Sequence, residues 1–203
     1  MTAAAAEPSP AASRAWFDRP ATSLARDLLG CRLVHAHPDG VVGGRIVEVE
    51  AYRGPEDRAA HSSRGRTARN AVMFGPPGHL YVYLVYGLHL CMNVVAGPGT
   101  KPEAVLVRAL ALDEGMDPAR ARRGTAVPER RLASGPGNVG SALGIDRGLN
   151  GADLLDGPVW IEPRRRRPSP IARGPRIGVD YAGAWAARPW RFWIADDPHV
   201  SRR

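Results

Sequence analysis

The sequence of 203 residues is poor in cysteine and lysine and contains no long apolar run. Its two cysteines, Cys31 and Cys91, are too few for a disulfide scaffold and lack the spacing of a zinc site. We expect two reduced thiols in the core and no structural metal. The most apolar stretch, LYVYLVYGLHLCMNVVAG, is interrupted by His89, Asn93 and two glycines, which excludes a membrane-spanning helix.

The N-terminal stretch MTAAAAEPSPAAS lacks the features of a secretion signal. It contains Glu7 and two prolines, and no lysine or arginine precedes Arg14. A signal peptide needs a basic start followed by an apolar segment. We therefore expect residues 1–15 to form a disordered leader on a cytoplasmic protein.

Lysine is nearly absent, so arginine supplies the positive charge. Of the 28 Lys+Arg residues only Lys101 is a lysine, and against 20 Asp+Glu residues they give a net charge of +8. The planar guanidinium of arginine can donate two hydrogen bonds to one phosphate group, which suits binding to nucleic acid. A genome rich in G and C also favours arginine codons. Codon bias leaves the net excess of positive charge unexplained, and that excess indicates a nucleic-acid partner.

Apolar periodicity and turn residues predict the elements of the first half of the chain. Thr22 is placed to cap a short helix that stops at Gly30. The strands CRLVHAHP and VVGGRIVEVEAY form a hairpin at Pro38-Asp39-Gly40, and three further strands are HLYVYLVYG, HLCMNVVAG and EAVLVRALAL. Residues 53–77 show neither the helical nor the strand periodicity of apolar residues and form a long connection. Such a connection is typical of a functional or disordered loop.

The second half of the chain is predicted to contain two helices and three short strands. The helices are MDPARARRG and NVGSALGI, and Ser134 is the expected N-cap of the second. The strands lie around residues 159–161, 176–179 and 191–194, and the four arginines 164–167 are expected at a solvated hairpin tip. Without a repeat, a linker or a βαβ rhythm, this pattern predicts a single α+β domain around a curved, mostly antiparallel sheet with short flanking helices.

Two of the predicted strands carry charge where burial is expected. In RIVEVEAY the alternation of strand side chains places Glu48, Glu50 and Tyr52 on one face and small apolar residues on the other. In EAVLVRALAL, Arg108 is the only charged residue after Glu103, and a buried guanidinium must find a partner. Glu48 or Glu50 can supply it. The pattern favours an arginine–glutamate pair lining a pocket, with a purely structural ion pair as the alternative.

Four of the five tyrosines, Tyr52, Tyr81, Tyr83 and Tyr86, lie on or beside these strands. Aromatic faces beside a polar pocket can stack a nucleobase, and a tyrosine directly before Gly87 can wedge into a duplex. The alternative is that each tyrosine is part of the core, and Tyr81 fits that alternative best.

His61 and Asn93 are weaker candidates for the same pocket. His61 lies in the long loop, either bonded to backbone or forming a pocket wall opposite Tyr52. Asn93 interrupts an apolar strand, where its amide needs a partner and can inspect the edge of a base. The six histidines lack ligand spacing, so no metal site is predicted.

Long motifs occur in a fixed order between roughly residues 20 and 200: GRIVEVEAYRGPEDRAAHS, RNAVMFGPPGHLYVYLVYGLHLCMNVV, AVLVRAL, SGPGNVGSALGI and RIGVDYAGAWAARPWRF. Through them the chain resembles the alkyladenine, or 3-methyladenine, DNA glycosylases of the mammalian alkylpurine type. The resemblance implies one α+β glycosylase domain at residues 16–203. Such a domain flips a damaged purine out of duplex DNA and hydrolyses its N-glycosidic bond. The expected bases are 3-methyladenine, 7-methylguanine, hypoxanthine and ethenoadenine.

The resemblance also implies roles for individual residues. Glu50 is expected to be the general base that activates the attacking water, with Arg108 helping to hold that water. Tyr52 and His61 are expected on the two sides of the flipped base, and Tyr83 edge-on as a third wall.

Three further roles follow from the same resemblance. Asn93 is expected to disfavour normal guanine through the exocyclic amine of that base. Tyr86 is expected to fill the vacated position in the base stack, and Met73 to abut the opposite strand. Tyr86 and Met73 are therefore the expected DNA-intercalating residues.

Some glycosylases form a Schiff base through an amine and then cut the strand. Lys101 is the only lysine, and nothing near it in the sequence would lower its pKa. We therefore expect a monofunctional enzyme that leaves an intact abasic site and needs no cofactor. Its expected partner is double-stranded DNA containing damaged purines, which it binds as a monomer in the nucleoid.

Three alternatives remain at this point. The first is a catalytically silent binder of damaged DNA or RNA on the same fold. The second is a metal-dependent nuclease with Glu48, Glu50, Glu56 and Asp57 as ligands. The third is an accessory domain for acyl or formyl transfer with a similar barrel, for which the sequence offers no nucleophile or base.

Overall fold

The computed structural model describes residues 13–98 and 101–202. Most of the predicted leader, residues 1–12, lies outside the described residues. Helix α1 spans Arg14–Phe17, and the Arg14 guanidinium lies 2.5 Å from the carboxylate of Asp153. The last residues assigned to the leader therefore contact the body of the domain.

One antiparallel sheet of eight strands organises the described residues. The strands are β1 (Arg32–His37), β2 (Gly40–Tyr52), β3 (Leu80–Val85), β4 (His89–Ala96), β5 (Glu103–Glu114), β6 (Val159–Glu162), β7 (Ile171–Gly174) and β8 (Arg191–Ile194). Neighbouring strands follow the order β3-β4-β5-β2-β1-β6, and β8 pairs with both β2 and β7. The sheet is open. The predicted α+β domain around a mostly antiparallel sheet is confirmed.

Strand β2 is the centre of the sheet, because it pairs with β5 along one edge and with β1 and then β8 along the other. The pairing with β5 shifts register between Gly43 and Gly44 and again around Glu48. Such irregularities bend a strand and increase its twist. At Gly44 a Cβ atom would lie 2.5 Å from the carbonyl oxygen of Ala111, so the close approach of β2 to β5 requires glycine there.

Three longer helices flank the sheet: α2 (Ala21–Leu28), α3 (Met116–Arg123) and α4 (Pro136–Leu143). Helix α2 buries Leu24, Ala25 and Leu28 against the apolar face of β2 and β5. Helix α4 lies directly on β4, since a Cβ atom at Gly140 would meet the carbonyl oxygen of Leu90 at 2.1 Å. The helices therefore leave the opposite face of β2 and β5, which carries Glu50 and Arg108, free to build a site.

The predicted starts of two helices are wrong by one or two residues. Helix α2 begins at Ala21, one residue before the expected cap Thr22, because the carbonyl of Pro20 already accepts the backbone N–H groups of the first turn. Helix α4 begins at Pro136 with Gly135 as its N-cap, so Ser134 does not cap it. Proline is preorganised for the first helical position, which explains this start.

One predicted strand is wrong and one strand was missed. Residues 176–179 do not form a strand, because Gly178 has a φ of +75° and the N–H of Ile177 donates to a glutamate side chain instead of a strand neighbour. The missed strand is β7, which pairs with β8. Short strands with few alternating residues carry little periodic signal, and only the tertiary pairing defines them.

The four arginines 164–167 do not form the predicted hairpin tip, although three of them, 165–167, are exposed as expected. They connect β6, which pairs with β1, to β7, which pairs with β8, so the strands on either side are not partners. Arg164 is partly buried and donates to the backbone carbonyls of Asp27 and Leu29 at the end of α2, and also to the Asp27 carboxylate at 3.0 Å. Helix ends leave carbonyl groups without partners. Arg164 therefore caps α2.

The structure also bears on two predictions from composition, namely the state of the cysteines and the exclusion of a membrane-spanning helix. Cys31 and Cys91 are both buried and unpaired, as expected, and burial raises the pKa of the Cys91 thiol to about 11. In the described part of the chain no helix is both long and apolar enough to cross a bilayer.

The cap at the end of α2 generates a prediction about stability. Arg164→Ala removes the donor to the helix carbonyls and is expected to lower the free energy of unfolding by about 1–2 kcal/mol. Arg166→Ala, in the same loop but exposed, is the matched control and is expected to change it by less than about 0.5 kcal/mol. Urea unfolding curves measure both. Equal effects of the two substitutions would contradict the cap.

Candidate active site

A cavity of about 510 Å³ opens on the charged face of β2 and β5. Its walls come from four strands, from the loop after β2 and from the turn around residues 177–181. Seven of the eight site residues expected from the sequence line it, namely Tyr52, His61, Met73, Tyr83, Tyr86, Asn93 and Arg108. The fold therefore brings together residues spread over more than fifty positions of the sequence.

The eighth residue, Glu50, is fully buried directly behind the cavity wall. Its Oε2 atom accepts a hydrogen bond from the hydroxyl of Tyr52 at 2.8 Å. Its Oε1 atom accepts the backbone N–H of Ile177 at 2.8 Å and lies 3.2 Å from Nη1 of Arg108. A carboxylate has about four acceptor positions. Oε1 thus has two partners, whereas Oε2 has only the Tyr52 hydroxyl and keeps room to accept one more hydrogen bond.

The predicted contact of Arg108 with a glutamate is confirmed for both Glu48 and Glu50, although only Arg108 of the three lines the cavity. Arg108 is 6% exposed, and its Nε donates to Oε1 of Glu48 at 3.0 Å while Nη1 faces Glu50. Burial alone would lower the pKa of Arg108, but the charges of Glu50 and Glu48 outweigh that effect and raise it. The guanidinium therefore stays charged beside Glu50.

The ring of Tyr52 has one face covered. The Arg176 guanidinium lies 4.7 Å from the ring centroid, and Arg176 is held by the buried carboxylate of Asp57 with contacts of 2.5 and 2.9 Å. Burial and the nearby Glu50 charge raise the pKa of Tyr52, so its hydroxyl stays protonated and donates. Sequence reasoning missed Arg176 and named Asp57 only as a ligand of the alternative nuclease, since 119 residues separate the two and neither belongs to a periodic pattern.

His61 is anchored by tyrosines on the other side of the cavity. Its Nδ1 lies 2.9 Å from the hydroxyl of Tyr81, and its ring packs edge-on against Tyr83 at 4.5 Å between centroids. Tyr81 is 1% exposed and packs in a buried cluster with Met73 and Val95, as expected of a core residue, but it also lines the cavity. Of the two interpretations of His61, the structure favours the pocket wall, because the ring contacts side chains and lines the cavity.

The pKa of His61 is lowered to about 4, mainly by burial and to a smaller extent by the positive charge of Arg69. The ring is therefore neutral at pH 7. A neutral imidazole does not repel a positively charged ligand in the cavity, whereas a protonated one would.

Asn93 and Met73 both line the cavity from buried positions. Asn93 is 3% exposed and donates through Nδ2 to the carbonyl of Tyr81 at 3.0 Å, which leaves its Oδ1 for another partner. Met73 is 2% exposed and packs with Tyr81 and Val95. A side chain packed in this way has no free surface to enter a duplex. The expectation that Met73 intercalates is therefore not supported.

Tyr86 is 93% exposed at the tip of the β3–β4 hairpin. Its φ is +52°, a conformation that is uncommon for a residue with a side chain, and Gly87 follows with +69°. Leu88 beside it is 75% exposed and was missed. Its signal in the sequence is an apolar residue directly after the turn glycine. The hairpin tip therefore exposes two large side chains, of which Tyr86 also borders the cavity.

A second recess of about 400 Å³ adjoins the cavity and shares His61, Arg69 and Tyr181 with it. Arg58 and Arg64 also line it. Three guanidiniums in one recess favour an anionic partner, in agreement with the net positive charge of the chain.

The carboxylates of the alternative nuclease site are all paired with cationic side chains. Glu48 and Glu50 contact Arg108, Glu56 contacts Lys101 at 2.6 Å and Asp57 contacts Arg176. Among residues 13–98 and 101–202, no group of three or more His, Cys, Asp or Glu side chains could hold a metal ion. The pairing does not favour metal ligation by these four groups.

The cavity thus combines aromatic walls with a buried carboxylate and an arginine beside them. The family model described as Methylpurine-DNA glycosylase (MPG) matches residues 15–198, and the chain belongs to this family. The resemblance given by the sequence motifs is thereby confirmed.

Relatives of similar length support the same assignment. A protein from Streptomyces avermitilis is 48% identical over 193 residues, which cover 93% of this chain and 90% of that protein. A protein from Methanocella arvoryzae is 48% identical over 197 residues, which cover 96% of this chain and 97% of that protein. A protein from Methanoculleus marisnigri is 50% identical over 194 residues, which cover 93% of this chain and 97% of that protein. All three carry the name "Putative 3-methyladenine DNA glycosylase".

The neutral His61 predicts a dependence of stability on pH. Its pKa is about 4 in the folded protein and about 6.5 in an unfolded chain. The unfolded state therefore gains the proton first as pH falls, so stability is lost between pH 6.5 and 4. In His61→Gln, the free energy of unfolding is expected to fall by about 1–2 kcal/mol less than in the wild type over this pH range. The difference is kept this small because the ring is partly exposed and solvent screens its charge.

Urea unfolding at pH 7.5, 5.5 and 4.5 measures this difference. His89→Gln, which removes an exposed histidine, is the control. Parallel pH dependences for the wild type and His61→Gln would mean that His61 is protonated equally in both states.

Proposed function

We propose that this protein is a monofunctional DNA glycosylase that excises alkylated purines of the 3-methyladenine type from double-stranded DNA. The observation that carries the proposal is the position of Glu50. Its carboxylate lies behind a cavity for a planar ring and contacts two of the residues that line that cavity, Tyr52 and Arg108. Membership of the methylpurine-DNA glycosylase family supplies the class of reaction.

The flipped base binds between Tyr52 and His61, with Tyr83 as the third wall. Arg176 covers one face of Tyr52, so the base stacks on the other. Stacking on an aromatic ring is worth about 1–3 kcal/mol per base. Purines methylated at N3 or N7 carry positive charge, which the electron-rich tyrosine faces attract and the neutral His61 tolerates. These properties favour a methylated purine over its unmodified parent.

The reaction replaces the bond between C1′ and the base with a bond between C1′ and a water oxygen. Glu50 accepts a proton from the water as its oxygen attacks C1′, while Arg108 fixes the carboxylate and helps to hold the water. The N-glycosidic electron pair leaves with the base, so a cationic methylpurine departs as a neutral molecule. Glu50 also stabilises the positive charge that develops at C1′.

Hypoxanthine and ethenoadenine are proposed as slower substrates. Both are neutral, so their departure requires a proton on the leaving base as well as an attacking water. 7-Methylguanine is cationic and is expected to need less help. Asn93 lines the cavity from a buried, hydrogen-bonded position, and its proposed role is to leave too little room there for the exocyclic amine of normal guanine.

Base extrusion is assigned to Tyr86, with Leu88 beside it. Unstacking and unpairing a nucleotide cost a few kcal/mol, least for a damaged or mismatched base. An exposed aromatic ring at a hairpin tip can occupy the vacated position. The arginine-lined recess next to the cavity would then meet the phosphate backbone of the same duplex.

Lys101 is not placed to act as an amine nucleophile. Its ammonium group contacts Glu56 and Glu103 at 2.6 and 3.1 Å, and these contacts raise its pKa. A protonated amine cannot attack C1′. The proposal is therefore hydrolysis without strand cleavage, performed by a monomer that needs no cofactor.

Substitution of Glu50 tests the assignment directly. Glu50→Gln is expected to lower base release by a factor of about 10²–10⁴ while lesion binding is retained, because the amide cannot accept the proton. Glu103→Gln is the matched control, since Glu103 is equally buried but bonds to the N-terminus of α2. The assay measures free base and alkali-dependent strand breaks, in EDTA, from duplexes carrying methylated purines, hypoxanthine or ethenoadenine.

The same assay separates the competing functions. Free base with alkali-dependent breaks, lost only in Glu50→Gln, supports the proposal and ranks the substrates. Binding to lesion duplexes without release of any base would establish the silent binder instead. Strand breaks before alkali treatment would contradict the monofunctional mechanism.

A further inference from the structure

A second glutamate, Glu48, is buried on β2 two residues before Glu50 and has no part in the reaction proposed above. It is completely buried and does not line the cavity. Transferring a carboxylate into the interior is costly unless its oxygens are fully engaged. Glu48 must therefore be held by its surroundings, and those surroundings indicate its role.

Three separate parts of the chain meet at the Glu48 carboxylate. Oε1 accepts hydrogen bonds from Nε of Arg108 at 3.0 Å and from Nη1 of Arg191 at 3.1 Å. Oε2 accepts the backbone N–H of Ser201 at 2.7 Å. The carboxylate thus ties together β5, β8 and the segment after β8.

The guanidinium of Arg108 is fixed along two of its edges. Nε contacts Glu48, and Nη2 donates to the Ser201 hydroxyl at 3.4 Å. A guanidinium is planar, so fixing these two nitrogens also fixes the direction of the third. That third nitrogen, Nη1, is the one 3.2 Å from Glu50.

Arg191 holds the other side of Glu48 in place. Its Nε donates to the carbonyl of Pro175 at 3.0 Å, and Nη1 donates to the carbonyl of Arg202 at 2.7 Å. Its guanidinium also lies 4.1 Å from the centroid of the Trp193 ring. Arg191 therefore restrains the Glu48 carboxylate, which in turn restrains the guanidinium of Arg108.

We propose that Glu48, supported by Ser201, is a positioning residue that orients Arg108 toward Glu50 in the cavity wall. The inference rests on the proposed glycosylase function and adds a supporting layer to its site. Glu48 contacts neither the cavity nor the reacting atoms. Its effect on base release must therefore pass through Arg108.

A double-mutant cycle tests this dependence. The rate is single-turnover release of methylpurines from DNA treated with dimethyl sulfate, and affinity is measured on a duplex with a tetrahydrofuran abasic analogue. Glu48→Gln is expected to lower the rate about 10- to 100-fold, as for other groups that orient a reacting side chain, with affinity within about 3-fold of the wild type. In an Arg108→Gln background the same change is expected to lower the rate by less than about 3-fold.

Two further variants complete the test. Glu103→Gln, the buried glutamate on the other face of β5, is expected to leave the rate unchanged. Ser201→Ala removes the hydroxyl near Nη2 while keeping the N–H to Glu48, and a 3- to 10-fold lower rate is expected, about the effect of one hydrogen bond. Ser201→Ala decides the question if Glu48→Gln does not fold.

The outcomes distinguish this inference from the function on which it rests. An unchanged rate in the folded Glu48→Gln protein, or an equal loss with and without Arg108, would overturn the positioning role while leaving the glycosylase intact. An unchanged rate in Ser201→Ala would overturn it where Glu48→Gln does not fold. Absence of base release by the wild type would instead refute the proposed function.

Discussion

The burial of Arg108 between Glu48 and Glu50 is the interaction on which the site depends. Two carboxylates and the guanidiniums of Arg108 and Arg191 balance one another in a region that solvent barely reaches. Removing one partner from such a cluster leaves a buried charge uncompensated, which typically costs about 3–5 kcal/mol. The cluster therefore constrains the sequence of β2, β5 and β8 at the same time.

The two faces of β2 divide stability and function. Val47 and Val49 pack toward α2 in the main core, while Glu48 and Glu50 point to the other face. A shift of one residue in register would exchange these faces and place the carboxylates in the apolar core. The glycines that allow β2 to approach β5 closely, Gly44 in particular, help to fix that register.

Much of this arrangement could be predicted from the sequence, because strand alternation is a local property. The faces of β2 follow from it, and the pairing of Arg108 follows from a single charge within an otherwise apolar strand. Three other features could not be predicted: Arg176 covers Tyr52, Arg164 caps α2, and residues 176–179 do not form a strand. They depend on contacts between distant segments, which single-sequence patterns do not encode.

The contact between Glu48 and Ser201 spans 153 residues of the chain. Contacts so distant in sequence form slowly, because the closure of a long loop must precede them. During synthesis, β2 and β5 can pair well before Ser201 exists, so Glu48 meets its last donor only after every intervening strand has been made. The segment from Phe192 onward therefore completes the support of Arg108 while it also adds Phe192, Ile194 and Val200 to the main core.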